Sequence, residues 1–461
     1  MAVTLAERLA PGRRPGPQPT RFRRPVLMEK FVIAGGSPLS GTIVPAGNKN
    51  AALPLVAAAL LTEDEVVLDN VPRIRDVEAM LGLLEELGAR VAWRSEHEVE
   101  ICTANVGSVE PDAALSDRIR ASFLLAGPLL ARFGSARMPP PGGDVIGRRR
   151  LDPHLDAFRA LGASVDDVGR DIHIAAPAAG LTACDILMDE PSVMGTENAL
   201  MAAALTPGET VIRHCASEPH VQDLARMLTA MGAQVDGVGS NVMTVTGAER
   251  LSGCRHAVSP DHIEIASFMA LAGVTGGELR IRDTVPADLR MIRLVFERLG
   301  LRSEVDGDDI LVPGDQKLVI QTDLGEYQPK VEDGPWPAFP ADLTSIAVAL
   351  ATQAEGQVLI FEKMFENRLF FVDKLTAMGA NITLCDPHRA VVYGPSRLRG
   401  ARVDSPDIRA GMAMLIAALC ADGPSEIGNI RQIDRGYERI DERLRDLGAH
   451  IERVATEPVH A

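Results

Sequence analysis

The sequence predicts an α/β protein of two domains, each built from three repeats of about 70 residues, and three observations carry that prediction. A helix that ends in Leu-Gly or Met-Gly and runs into a strand recurs six times, as EELGARV, RALGASV, TAMGAQV, ERLGLRSEV, TAMGANI and RDLGAHI. The glycines of these copies, Gly88, Gly162, Gly232, Gly300, Gly379 and Gly448, are 74, 70, 68, 79 and 69 residues apart. A small-residue apolar helix precedes each copy, and a β-rich stretch lies between the two helices. At 461 residues the chain also exceeds what one hydrophobic core usually organises.

Each repeat glycine suits the residue just past a helix C-terminus, where left-handed backbone geometry favours glycine. The preceding helices read NKNAALPLVAAALL, RIRASFLLAGPLLARFG, GTENALMAAALTPG, IEIASFMALAGVTGG, ADLTSIAVALATQAEG and PDIRAGMAMLIAALCADG. Apolar nearly all round, they are expected to be buried, with alanine and glycine letting neighbouring helices approach closely. EVVLDNV, ETVIRHC, ELRIRDT and QVLIFEK supply the strands that follow. The unit is thus helix–strand–helix–strand with extra strands, too long for a helical solenoid repeat. No GxGxxG follows the first strand, which sets aside a plain dinucleotide-binding fold.

Composition narrows the function classes. A net charge of −16 argues against nucleic acid and anionic membranes as general partners, while a local arginine cluster can still hold a small anion. The six cysteines form no CxxC pair, so reduced thiols in a cytoplasmic protein are expected, with no metal site. No apolar run of membrane-spanning length occurs. Residues 1–27 hold six arginines among several prolines and lack the apolar core of a secretory signal, so they read as a disordered extension or as sequence upstream of the true start at Met28.

The candidate chemistry sits where charge meets buried helices. GNKNAALP places Lys49 and Asn50 at a helix N-terminus, where free amides and a cation make an anion site; a solvated lysine beside an asparagine cap is the alternative. PPPGGDVIGRRRLDPH carries Asp144 on a glycine loop, followed by Arg148, Arg149 and Arg150. A carboxylic acid on a closing loop can be desolvated and made a proton donor, and the arginines suit phosphate or carboxylate; a polar surface turn is the alternative. Arg118 and Arg120 open the second apolar helix, Asp407 and Arg409 the sixth, and IDRGYERI brings Asp434, Arg435, Tyr437 and Glu438 to the last helix. Asp342 in FPADL opens the fifth, where by position a helix cap is the commoner role than a base. Glu366 and Arg368 in FENR follow a strand, with a structural salt bridge as the alternative, and His154 lies beside the arginine loop.

Together GNKNAALP, RASFLLAGPLLARFG, PGGDVIG, PAFPADL, FENR and IDRGYERI resemble the enolpyruvyltransferase superfamily (EPSP synthase-like), in its UDP-N-acetylglucosamine branch, from about Met28 to Val454. The resemblance implies two inside-out, barrel-like α/β domains facing a cleft, with residues 28–48 plus 260–461 in one domain and 49–259 in the other. It implies a transferase that moves the enolpyruvyl group of phosphoenolpyruvate to the 3-hydroxyl of UDP-N-acetylglucosamine, opening peptidoglycan synthesis, with no cofactor. Lys49, Asn50, Arg149 and Arg435 would hold phosphoenolpyruvate, with Arg120 and Arg409 nearby. Asp144, where many relatives carry a reactive cysteine, would protonate its methylene carbon, and Asp342 would take the proton of the sugar hydroxyl; Asp407 would support. The nucleotide sugar would meet Arg120, Arg149, Arg150, Leu151, Asp152, Pro153, Glu190, Pro191, Ser192, Val193, Asp342 and Met364. This half departs from the family pattern: Arg149-Arg150-Leu151-Asp152-Pro153 replaces arginine-proline-valine-aspartate-leucine, Glu190 a common lysine, and SVMGTEN the usual SVGATEN. Another uridine nucleotide as acceptor, or a silent UDP-sugar-binding regulator, are the alternatives.

Overall fold

The computed structural model describes residues 28–144 and 146–456; the extension expected over residues 1–27 lies outside the described residues. The six repeats appear as six sheets, five of four strands and one of three. Strand Met28–Ala34 runs between Pro424–Gly428 and His450–Thr456, antiparallel to both, so the start of the described chain is zipped into its end. Gly41–Ile43 pairs in parallel with Leu279–Ile281, and Arg255–Ala257 in parallel with Val66–Asp69. Neighbouring repeats therefore interlock through exchanged strands.

The hydrophobic core is in two parts. One is drawn from residues 51–258; the other combines Phe31, Ile33, Leu39 and Ile43 with residues 263–451. Between them the chain passes twice, side by side: Asn48 N donates to Ser259 O at 2.7 Å, Asp261 N to Ala46 O at 2.9 Å, and Gly47 bridges Pro260 antiparallel. Gly47 has no room for a side chain, since a Cβ would stand 1.8 Å from Asn70 O.

The apolar helices fill these cores. His262–Thr275, Thr344–Ala351 and Ile408–Cys420 pack on one another in the larger core, and Ala126–Phe133 packs on Val193–Ala203 in the smaller. The small residues have the expected use: Gly127 N donates to Asn198 Oδ1 at 2.8 Å, and a Cβ there would stand 2.7 Å from the same oxygen. The outer helices stop at the repeat glycines, whose φ runs from 91° at Gly300 to 115° at Gly232.

Two of the buried helices start differently from expectation. The second opens as a 3-10 turn over Arg120–Leu125 and becomes α-helical only at Ala126, because Pro128 has no N–H and its ring crowds the carbonyl four residues back. The fifth likewise opens with a 3-10 turn over Ala341–Leu343, which turns Asp342 away from a capping position.

Candidate active site

Lys49 begins the first buried helix, capped by Asn48, whose side-chain oxygen accepts from Asn50 N at 2.8 Å and Ala51 N at 3.2 Å. Lys49 is not solvated. Only 8% exposed, it sets its Nζ 2.9 Å from Asp76 Oδ2. The same carboxylate takes Arg435 Nε at 2.8 Å and Nη2 at 3.2 Å, across 359 residues of chain. Arg435 Nη1 in turn pairs with Asp144 and with Gln432 Oε1 at 2.9 Å. Burial pushes the Asp76 carboxyl up, but Lys49 and Arg435 outweigh it and hold it ionised, below the usual range.

Asp342 forms the second cluster. Its carboxylate accepts from Arg368 Nη2 at 2.9 Å, Arg409 Nε at 3.2 Å and Asn50 Nδ2 at 3.5 Å. None of these is a backbone amide, so the cap suggested by its position is not its role. Burial raises the Asp342 carboxyl, yet Arg409, Arg368 and Lys49 prevail and keep it far below the ordinary carboxylate range. Asp407 does cap, accepting from Arg409 N at 2.8 Å and Ala410 N at 2.9 Å. Arg409 Nη1 is buried without an acceptor. An anion in the cleft would satisfy it.

The Asp144 loop crosses to the other core. Asn367 N donates to Ile146 O at 3.0 Å, and Arg148 N to Glu366 Oε2 at 3.2 Å. Its glycines permit this contact: a Cβ on Gly142 would stand 1.8 Å from Asp117 O, and one on Gly147, at φ 139°, 2.3 Å from Glu366 Oε2. Arg149 Nη2 donates to the Asp144 carbonyl at 2.6 Å, and Arg120 Nη2 to the Arg149 carbonyl at 2.6 Å. Among the described residues neither guanidinium pairs with a carboxylate. Burial and the adjacent Arg149 push Arg120 down to about 10, which measures how little compensates this positive charge.

These groups face one 640 Å3 cavity. Lys49, Asn50, Arg120, Asp144, Arg149, Arg150, His154, Ser192, Val193, Asp342, Met364, Glu366, Asp407 and Arg409 all line it. Leu151, Asp152 and Pro153 do not; Asp152 and Pro153 start a helix, and the Asp152 carboxylate turns back to Arg150 at 3.3 Å. Arg435 stands behind the wall and reaches the cavity through Asp144. Arg118 is exposed and outside it. Of IDRGYERI, Arg435 turns to the site and Tyr437 lies under Arg409, whose guanidinium stands 5.5 Å over its ring, whereas Asp434 holds Arg453 at 2.8 Å and Glu438 accepts from Arg73 N at 2.8 Å. Arg150 is tied to Asp189 at 2.7 Å and lies 3.6 Å from Glu190, so the altered positions form an ion-pair group of their own.

His154 is buried, its Nδ1 2.7 Å from Asn198 Nδ2 and its ring edge-on to Phe123. Burial and Arg120 push it down to about 3, so it is neutral. The sequence reading missed the opposite wall, where His220 stacks on His262 at 6.1 Å and Trp336 meets His262 edge-on. Glu197 and Glu218 lie there too, both raised by burial. Polar residues at helix starts, in ASEPH and PDH, were the available signal.

Over residues 33–444 the chain matches the family described as EPSP synthase (3-phosphoshikimate 1-carboxyvinyltransferase). It is 56% identical to the UDP-N-acetylglucosamine 1-carboxyvinyltransferase of Bradyrhizobium diazoefficiens, over 92% of this chain and 98% of that one. With the protein of the same name from Treponema denticola it shares 52% identity over 92% and 99% of the two chains. Among solved structures it is similar to the enolpyruvyl transferase NikO from Streptomyces tendae, with a TM-score of 0.83 at 24% identity, covering 94% of this chain and 100% of that one. The EPSP synthase from Acinetobacter baumannii gives a TM-score of 0.70 at 19% identity, over 93% and 100%. These two structural likenesses speak to the fold.

Proposed function

The chain belongs to the EPSP synthase family, and from that premise we infer that it transfers the enolpyruvyl group of phosphoenolpyruvate to the 3-hydroxyl of UDP-N-acetylglucosamine, releasing phosphate. This is the first committed step of peptidoglycan synthesis, carried out in the cytoplasm. The observation that carries the reading is a cavity with two guanidinium groups unpaired with carboxylates, Arg120 and Arg149, and an unfilled donor at Arg409 Nη1, set between two carboxyls, Asp144 and Asp342. A small trianion needs several cations if its charges are to leave water.

In this reading phosphoenolpyruvate competes with Asp76 and Asp144 for Lys49 and Arg435, and with Asp342 for Arg409. Asp144 delivers a proton to the methylene carbon, which makes C2 electrophilic. The sugar 3-hydroxyl attacks C2 as Asp342 takes its proton, forming the carbon–oxygen bond of a tetrahedral phospholactoyl ketal. Breaking the bond to phosphate and removing a proton from the new methyl group then gives the enolpyruvyl ether. The cations around Asp342 hold it too acidic to be a good base alone. Substrate anion that draws Lys49 and Arg409 away raises its proton affinity, so base strength arrives with the donor substrate. Phosphate release from phosphoenolpyruvate, measured with UDP-N-acetylglucosamine, UMP and shikimate 3-phosphate in parallel, tests this. Release with the first acceptor is expected; release only with another changes the acceptor, and none with any leaves a binding protein.

A further inference from the structure

Behind Arg368, on the side away from Asp342, lies a carboxyl pair that the reaction above does not use. Glu362 is 0% and Asp333 2% exposed. Glu362 Oε1 accepts from Phe365 N at 3.1 Å, and Asp333 Oδ1 from Lys363 N at 2.5 Å. The remaining oxygens, Glu362 Oε2 and Asp333 Oδ2, are buried with no donor, although the two carboxyls are in contact with each other. A proton between the two carboxyls satisfies both oxygens at once, while Thr344 Oγ1, itself buried without a partner, adjoins Glu362. Arg368 is 3% exposed; its Nε has no acceptor and stands 3.8 Å from Glu362 Oε2, while its Nη2 holds Asp342 at 2.9 Å.

We propose that Glu362, carrying a proton shared with Asp333, is a positioning residue that leaves Arg368 free to orient Asp342, and that losing this proton draws Arg368 back and disables the base. The inference rests on the reaction proposed above. The groups facing Glu362 are Arg368, Asp333, Thr344 and, through its backbone carbonyl, His388 Nδ1 at 2.7 Å; Lys363 adjoins it, and Asp342 and Arg149 lie beyond Arg368. Burial pushes the Glu362 carboxyl up to about 8, against the pull of Arg368. The proton is therefore held at neutral pH and released on the alkaline side.

Turnover is read against pH in wild type, Glu362→Gln and Glu362→Leu. Glutamine imitates the protonated acid, since its amide can donate to Asp333, and it cannot ionise. Wild type is expected to lose kcat as pH rises through about 8. The glutamine variant keeps neutral turnover without that loss. The leucine variant, with neither donor nor charge, misplaces Arg368 and drops kcat by roughly 10²-fold. A glutamine variant with the wild-type alkaline fall, or a leucine variant with unchanged kcat and profile, overturns the proposal. Infrared difference titration decides the proton independently of turnover: wild type minus the glutamine variant should show a carboxylic-acid band that disappears between neutral and alkaline pH, and its absence overturns the proposal. A wild type that releases no phosphate defeats the reaction instead, while the infrared result still stands.

Discussion

Asp144 carries two partners with opposite demands. Its ion pair with Arg435 requires a carboxylate, whereas the proton delivery proposed for it requires the acid. Asp144→Asn keeps the size and the contact with the loop but has no acidic proton to give. Its turnover is expected to fall by about 10²–10⁴-fold, with nucleotide-sugar binding retained by calorimetry. Turnover near wild type would remove Asp144 from the reaction. The same residue sets the response to the epoxide fosfomycin, which in the family alkylates the cysteine at this position. A carboxylate is a far poorer nucleophile than a thiolate. No time-dependent inactivation is expected for this chain, and Asp144→Cys should restore it; a covalent adduct on Asp144 by mass spectrometry would contradict this. That Asp144, Lys49 and Asp342 line one cavity was legible because each sits in a distinctive motif. Asp76 was not: it is an ordinary first-turn acid in RIRDVEAM, and its partner Arg435 is 359 residues away, where spacing carries no information.

Among elements, the six glycines and six apolar helices were legible because each rule behind them is local: a left-handed residue after a helix, and a helix apolar on every face. The 3-10 openings at Arg120 and Ala341 were not, although Pro128 marks the first of them. The capping expectation for Asp342 failed for the same reason, since the turn aims its carboxylate at Arg368 and Arg409 instead. The close helix contact at Gly127 can be tested directly. Asn198 satisfies Gly127 N at 2.8 Å, Phe123 O at 2.9 Å and His154 Nδ1 at 2.7 Å. Gly127→Ala forces a methyl against this hub and should cost about 1–3 kcal/mol, read as a lower denaturation midpoint. An unchanged midpoint would mean that the helices separate without loss.

For the whole molecule, the histidines of the cleft couple folding to pH. His220 is pushed down to about 3 and His262 to about 4, chiefly by burial. The unfolded chain takes up protons at these rings below about 6.5 while the folded protein does not, so their contribution to stability is lost as pH falls from about 6.5 toward 4. Each ring contributes at most about 1.4 kcal/mol per pH unit. The His220→Gln/His262→Gln variant lacks this loss, so its unfolding midpoint should gain on wild type as the solution is acidified. A constant difference between the two across that range would show that the rings titrate alike in both states.

The paired crossing at Ala46–Asn48 and Ser259–Asp261 has a mechanical consequence. One strand between two bodies is a swivel, able to twist as well as bend. Two strands bonded side by side resist twist and shear, and yield most easily about the line that runs across both. Opening the cleft is then close to a single degree of freedom, like a book on its spine. Lys49 follows directly from one strand of that spine and His262 from the other, so they sit near the axis and move little. The Asp144 loop and the FENR turn meet through Asn367 N on Ile146 O and Arg148 N on Glu366 Oε2, so these are bonds that any such opening has to break.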